Sequence, residues 1–127
     1  MKPYIVLNIG EKEYRLRIPA TSAIELEDKL NCSVVDGMNR LCEIRVLAKY
    51  FYAAAKQLND DVKTEGDALA VIDEYTMQGN KVEDLYDVIL SVMENSGYIK
   101  QEAIDMSKKI TAQMQEKLME KQSALLS

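Results

Sequence analysis

Catalysis and metal binding need bases, nucleophiles or ligands at usable spacings, and this sequence supplies few of them. It contains no histidine, which removes the commonest general base and the commonest zinc ligand together. Its two cysteines, Cys32 and Cys42, are too few for a metal site and read as small half-buried thiols in a reducing compartment. The NCS triplet from Asn31 to Ser33 matches a glycosylation acceptor, but with no export signal it is expected to be a chance match. The acidic run around Asp61 fails as a calcium loop. With Asp61 in the first position, Gly66 falls correctly in the sixth, yet Lys63 takes the third and Ile72 the twelfth, where carboxylates are required. Gly10, Gly37, Gly66, Gly79 and Gly97 never cluster, so there is neither a dinucleotide fingerprint nor a phosphate loop. Glu83, Asp84 and Asp87 do offer carboxylate pairs, but they fall on the polar face and first turn of a predicted helix, where the helix dipole accounts for them. The expectation is a protein that is not an enzyme and uses no cofactor or metal.

What remains is chemistry suited to contacts. Arg45, Lys49 and Lys56 fall on one side of the second predicted helix, and Glu83, Asp84, Asp87 and Glu94 make the fourth acidic. A solvated face is the plain reading of each. Opposite patches on two helices also allow copies to associate head to tail, so a homo-oligomer is expected. Met106, Met114 and Met119, with Ile110 and Leu118, mark a C-terminal contact surface, since thioether side chains repack around varied apolar partners. Core filling is the competing account of that methionine pattern.

These residues must be carried by a small frame. At 127 residues one domain is expected, burying roughly 65 to 70% of its unfolded surface. Sixteen Lys and Arg against twenty-one Asp and Glu give a net charge of −5, which disfavours nucleic acid as a partner. The apolar run Ile5 to Ile9 is interrupted by Asn8 and too short for a secretory core, and no stretch approaches the roughly 20 apolar residues of a membrane span. A cytoplasmic location without membrane contact is expected.

Ile5, Leu7 and Ile9 alternate with Val6 and Asn8, and after GEKE the pattern resumes with Tyr14, Leu16 and Ile18. This predicts a hairpin with one apolar face, which helices must cover because a lone hairpin is marginal in water. Pro19 ends the second strand, and SAIE from Ser22 to Glu25 reads as a capping box opening a helix that runs to Leu30, with Asn31 as its left-handed stop. After the turn-like SVVDGMN, Leu41, Ile44, Ala48, Phe51, Ala55 and Leu58 recur at spacings of three and four and predict a long central helix. NDD breaks it. Leu69, Ile72 and Tyr75 carry a third helix to Gly79, and Leu85, Val88, Ile89, Val92 and Met93 a fourth, ending near Gly97. From Gln101 the chain is rich in Gln, Lys, Glu and Met with a thin apolar stripe; a helix of about 24 residues there is about 36 Å long and buries little in its own domain.

The expected fold is α+β and mainly α: an N-terminal β-hairpin on a bundle of about four helices over residues 1–98, followed by a helical tail over 99–127. In that order of elements, and in the stretches YIVLNIGEKEYRLRI, AIELEDKLN and VIDEYTMQGNKVEDLYDVILSVMENSGY, residues 3–98 resemble the tail assembly chaperones of long-tailed bacteriophages and prophages. The resemblance implies a protein absent from the finished virion. It would coat the tape measure protein in the host cytoplasm and hold its long apolar helices soluble until tail tube subunits polymerise around it. No residue-level site comes with the family. The alternative is a small regulatory module that contacts DNA through the basic face of the second helix, Arg45, Lys49 and Lys56.

Overall fold

A computed structural model describes residues 3–100, so Met106, Ile110, Met114 and Leu118 lie outside the described residues. Strands β1 (Ile5–Ile9) and β2 (Lys12–Leu16) pair antiparallel, with Leu7 opposite Tyr14 and Ile9 opposite Lys12. Four helices follow, α1 (Ala20–Leu30), α2 (Ile44–Ala55), α3 (Glu65–Met77) and α4 (Val82–Asn95), with a short 3-10 helix at Asp36–Arg40 between the first two. This is the expected mainly helical α+β fold with an N-terminal hairpin.

The alternation of the hairpin places its apolar face as anticipated. Leu7, Ile9, Tyr14, Leu16 and Ile18 are buried, and Ile5 is half-buried at the margin. The second strand starts two residues earlier than the apolar pattern suggests. Only Gly10 and Glu11 form the turn, and Gly10 takes a φ of +60°, the left-handed value that a glycine in the first position of a two-residue hairpin loop supplies cheaply. Against this face pack α2, beneath β2, and α4, beneath β1. Tyr14 meets Phe51 edge to face at a ring separation of 6.3 Å, a geometry that aromatic quadrupoles favour.

Helix α2 is the centre, as its pattern predicts, although its register differs in detail. The regular helix stops short of Leu41 and Leu58, and the buried set is Val46, Leu47, Ala48, Tyr50, Phe51, Ala53, Ala54 and Ala55. Three consecutive alanines let neighbours approach on the sides where a periodic stripe predicts solvent. Ile44 and Leu58 are exposed instead. In α3 the same correction applies to Leu69, which is exposed while Ala68, Val71, Ile72 and Tyr75 are buried. Helix α4 buries Leu85, Ile89, Val92 and Met93, with Val88 half-buried. Asn31, Gly79 and Gly97 all take positive φ at helix ends, as their residue types foretell.

The capping box expected at Ser22 to Glu25 does not form. Helix α1 begins at Ala20 with extended Pro19 as its N-cap, and the Pro19 carbonyl accepts from the Ala23 N–H at 2.9 Å. Ser22 is thereby carried into the first turn, fully buried, and its Oγ has no partner among the described residues. The capping box that does form belongs to α3. Thr64 Oγ1 accepts from the Asp67 N–H at 3.1 Å while Asp67 accepts from the Thr64 N–H at 3.1 Å. Asp in place of the usual Glu or Gln hides this signal in the sequence. Cys32 is half-buried as expected, but Cys42 is exposed, because its neighbour Leu41 takes the core position at that turn.

Gly37 is the most closely approached of the five glycines. A Cβ there would stand 2.5 Å from the Tyr50 hydroxyl and 2.9 Å from Leu30 Cδ1, and Tyr50 is held in place by donating to the Val34 carbonyl. Burial pushes the Tyr50 hydroxyl pKa upward, so it remains a donor. Gly37→Ala is accordingly expected to destabilise by about 1–3 kcal/mol in urea unfolding. Ser22→Ala, by contrast, is expected to leave stability unchanged or raise it by up to about 1 kcal/mol, since it removes an unsatisfied buried hydroxyl. A true N-cap serine would instead lose about 1 kcal/mol on the same substitution.

Candidate functional site

The first turns of α2 and α3 lie side by side and leave an open groove of about 520 Å³ between them. From α2 it receives Ile44 and Arg45, then Ala48 and Lys49 one turn on; from α3 it receives Glu65 and Leu69, with Glu43 at its lip. Ile44 is 46% exposed and Leu69 41% exposed, so two branched aliphatic side chains wall a cleft open to water. Both belong to apolar stripes in the sequence and were expected in the core. Ile44 is the first residue of α2, and Leu69 stands about 60° around α3 from Ile72; a place at a helix end and a place at a stripe's edge are the signals that could have set them apart.

Electrostatics hold the walls together. Glu65 accepts from Lys29 Nζ at 3.0 Å and from Lys49 Nζ at 3.3 Å, so one carboxylate ties α1, α2 and α3. The hydrogen bond from Lys29 lowers its pKa most, with Lys49 adding to it against the cost of burial. At the lip, Arg40 donates to both carboxylate oxygens of Glu43, at 2.9 and 3.3 Å, and that pairing lowers the Glu43 pKa. Both carboxylates of the groove are therefore kept ionised, the opposite of what a general acid requires. Among the described residues no group of three or more His, Cys, Asp or Glu could hold a metal ion.

The basic side of α2 is only partly free. Lys49 is committed to Glu65, and Lys56 is paired with Glu25 of α1. Lys29 and Lys56 also stand 4.9 and 5.4 Å from the Tyr52 ring centre, and the Tyr52 hydroxyl donates to the Lys63 carbonyl at 3.2 Å, a cation–π arrangement that orders both ammonium groups. Of the three cations expected to form a contact face, only Arg45 is exposed without an ion pair among the described residues. The structure thus brings Arg45 and Lys49 into the groove and places Lys56 farther along α2, beside α1. Lys29 and Glu65, which no motif singled out, prove to be its framework. Comparison with protein-family models, curated proteins and solved structures returns no match.

Because the folded pKa of Glu65 lies below its unfolded value, its contribution to stability is present above the ordinary carboxylate range and is lost as pH falls through the folded value. Glu65→Gln should cost about 0.5–1 kcal/mol at pH 7, the scale of a partly exposed ion pair. The difference between variant and parent should shrink progressively in urea melts as pH is lowered from 7 to below the ordinary carboxylate range.

Proposed function

We propose that this chain is a non-catalytic assembly chaperone of a long-tailed phage or prophage. It binds the tape measure protein, keeps that protein soluble and helps recruit tail tube subunits, and it works as several copies in the host cytoplasm. The observation that carries the reading is the groove between α2 and α3, where Ile44 and Leu69 offer aliphatic surface around the free Arg45 guanidinium. Such a cleft suits one turn or two of an amphipathic helix, the element by which a long coiled rod would present itself. Ile24, Val35, Leu58 and Met77 add exposed apolar side chains elsewhere on the surface, consistent with many weak contacts spread along an extended partner. The resemblance of residues 3–98 to tail assembly chaperones supports the same reading. Association between copies is supported by the carboxylates of α4, since Glu83, Asp84, Asp87 and Glu94 make no ion pair among the described residues.

The DNA-binding alternative draws less support. A phosphate-binding face needs uncommitted cations, and Lys49 and Lys56 are already paired within the chain. Nor does any described helix have the length and apolarity to cross a membrane.

The test is solubility of the tape measure polypeptide on mixing. The parent protein should hold it in solution under native conditions. The double variant Ile44→Ser, Leu69→Ser should unfold normally, because both side chains are exposed, yet bind at least about tenfold more weakly, or ~1.4 kcal/mol. A tape measure polypeptide that precipitates equally fast with and without the parent protein would overturn the proposal.

A further inference from the structure

The hairpin has two outer edges, and the described residues close only one. Along β2, the Asn59 side chain accepts from the Arg15 N–H at 3.1 Å and donates to the Arg15 carbonyl at 2.7 Å, and the Arg17 N–H donates to the Ala54 carbonyl at 3.0 Å. An amide side chain and the end of α2 therefore stand where another strand would be. The opposite edge is different. With a two-residue turn between Ile9 and Lys12, the hydrogen-bonded pairs fall at Ile9 and Lys12, Leu7 and Tyr14, Ile5 and Leu16. That leaves the N–H and carbonyl groups of Val6 and Asn8 pointing away from β2, and none of them has a partner among the described residues.

An open edge is an aggregation hazard that proteins blunt with charges, proline, bulges or short strands. The segment IVLNI has no charge and no proline, and its pairing runs without a bulge over all five residues. Val6 is half-buried and Asn8 exposed on the outer face, while Leu7 and Ile9 face the core. Among the described residues Asn59 closes β2, and β1 is left in a state suited to pairing.

We infer that the free edge of β1 is a docking site for an extended, uncharged segment of another protein with a cationic flank, which adds as a third strand. A second copy of this chain paired antiparallel does not fit the edge. Paired strands stand about 4.8 Å apart whereas packed helices need 8–10 Å, and α4 packs beneath β1, so two copies joined antiparallel at β1 would bring their α4 helices into the same space. A bare strand avoids this. Its side chains facing inward continue the apolar row of Leu7, and those facing outward lie beside Val6 and Asn8 and can be polar. The cationic flank follows from α4, whose Glu83, Asp84, Asp87 and Glu94 are without ion pairs among the described residues. This inference stands apart from the groove between α2 and α3 and does not depend on it.

The experiment uses the full-length protein and, as probe, the peptide acetyl-Lys-Thr-Val-Thr-Val-Thr-Lys-amide, followed by backbone amide NMR and hydrogen exchange. On saturation the amides of Val6 and Asn8 are expected to shift and to exchange at least about tenfold more slowly, with Leu7 little changed because its N–H already serves the hairpin. Val6→Pro and Asn8→Pro, which remove outward-facing donors only, are each expected to weaken binding about tenfold or more while keeping a cooperative melt. Should either variant fail to fold, the exchange data on the parent protein decide. Three results would overturn the inference: peptide affinity unchanged in both folded proline variants, peptide binding without any change at Val6 and Asn8, or slow exchange at these amides before peptide is added. In the last case a dimeric mass by light scattering would assign the edge to a second copy, and a monomeric mass to the chain's own residues.

Discussion

Eight of the twelve residues of α2 are buried, so this helix tolerates water on almost no side, and the other helices and β2 are in effect its cover. Helix α1 lies on one flank and α3 on another, while β2 and α4 close the remaining approach. A two-stranded hairpin is too small to persist alone. Here it is held because Tyr14 and Leu16 press on α2, with the Tyr14 ring edge-on to Phe51, and because the Ile18 N–H and carbonyl are taken up by Ser96 and Tyr98 just beyond α4. The hairpin and the segment just after α4 are thus tied through the same few residues. Small side chains make this possible: Ala53, Ala54 and Ala55 allow neighbours close to the α2 backbone, at positions where larger residues would force them apart.

Charge then determines which surface stays open. Glu65 collects Lys29 and Lys49, Glu25 collects Lys56, and Tyr52 lies between Lys29 and Lys56. Each such contact is worth little by itself near the surface. Together they form a belt across α1, α2 and α3 that uses up most of the cations on that side. What the belt leaves uncovered is the mouth between α2 and α3, with Ile44, Leu69 and Arg45. The groove has its character by subtraction: aliphatic walls, one free guanidinium, and carboxylates already neutralised by their partners. It combines exposed aliphatic surface with a single guanidinium that has no ion pair among the described residues.

Two polar side chains show how strongly packing overrides local preference. Asn59 spends its amide on the Arg15 backbone and so replaces a missing strand, a use that nothing in its neighbourhood of aspartates announces. Ser22 has the residue type of a helix cap and is instead enclosed with its hydroxyl unpartnered, because Pro19 opens the helix three residues earlier. Local signals competed at this point, and the residue with the fixed φ prevailed. The asymmetry of the hairpin edges has the same origin, since only tertiary contact decides which backbone groups find a partner.

The sequence by itself determined the elements and their order, because alternation, apolar periodicity and the stops at Asn31, Gly79 and Gly97 act within a few residues of one another. It likewise excluded histidine chemistry, nucleotide loops and a calcium loop, which depend on residue type and spacing alone. Only the tertiary structure decided which apolar residues face water, since Ile44 lies on the same side of α2 as buried Ala48, Phe51 and Ala55 and yet, at the first position of the helix, is exposed. It also decided which cations are free, because the partners of Lys49 and Lys56 lie 16 and 31 residues away, a separation that no local pattern encodes. The groove and the β1 edge are both what remains once the described residues have satisfied one another, a remainder set by contacts between elements distant in the sequence.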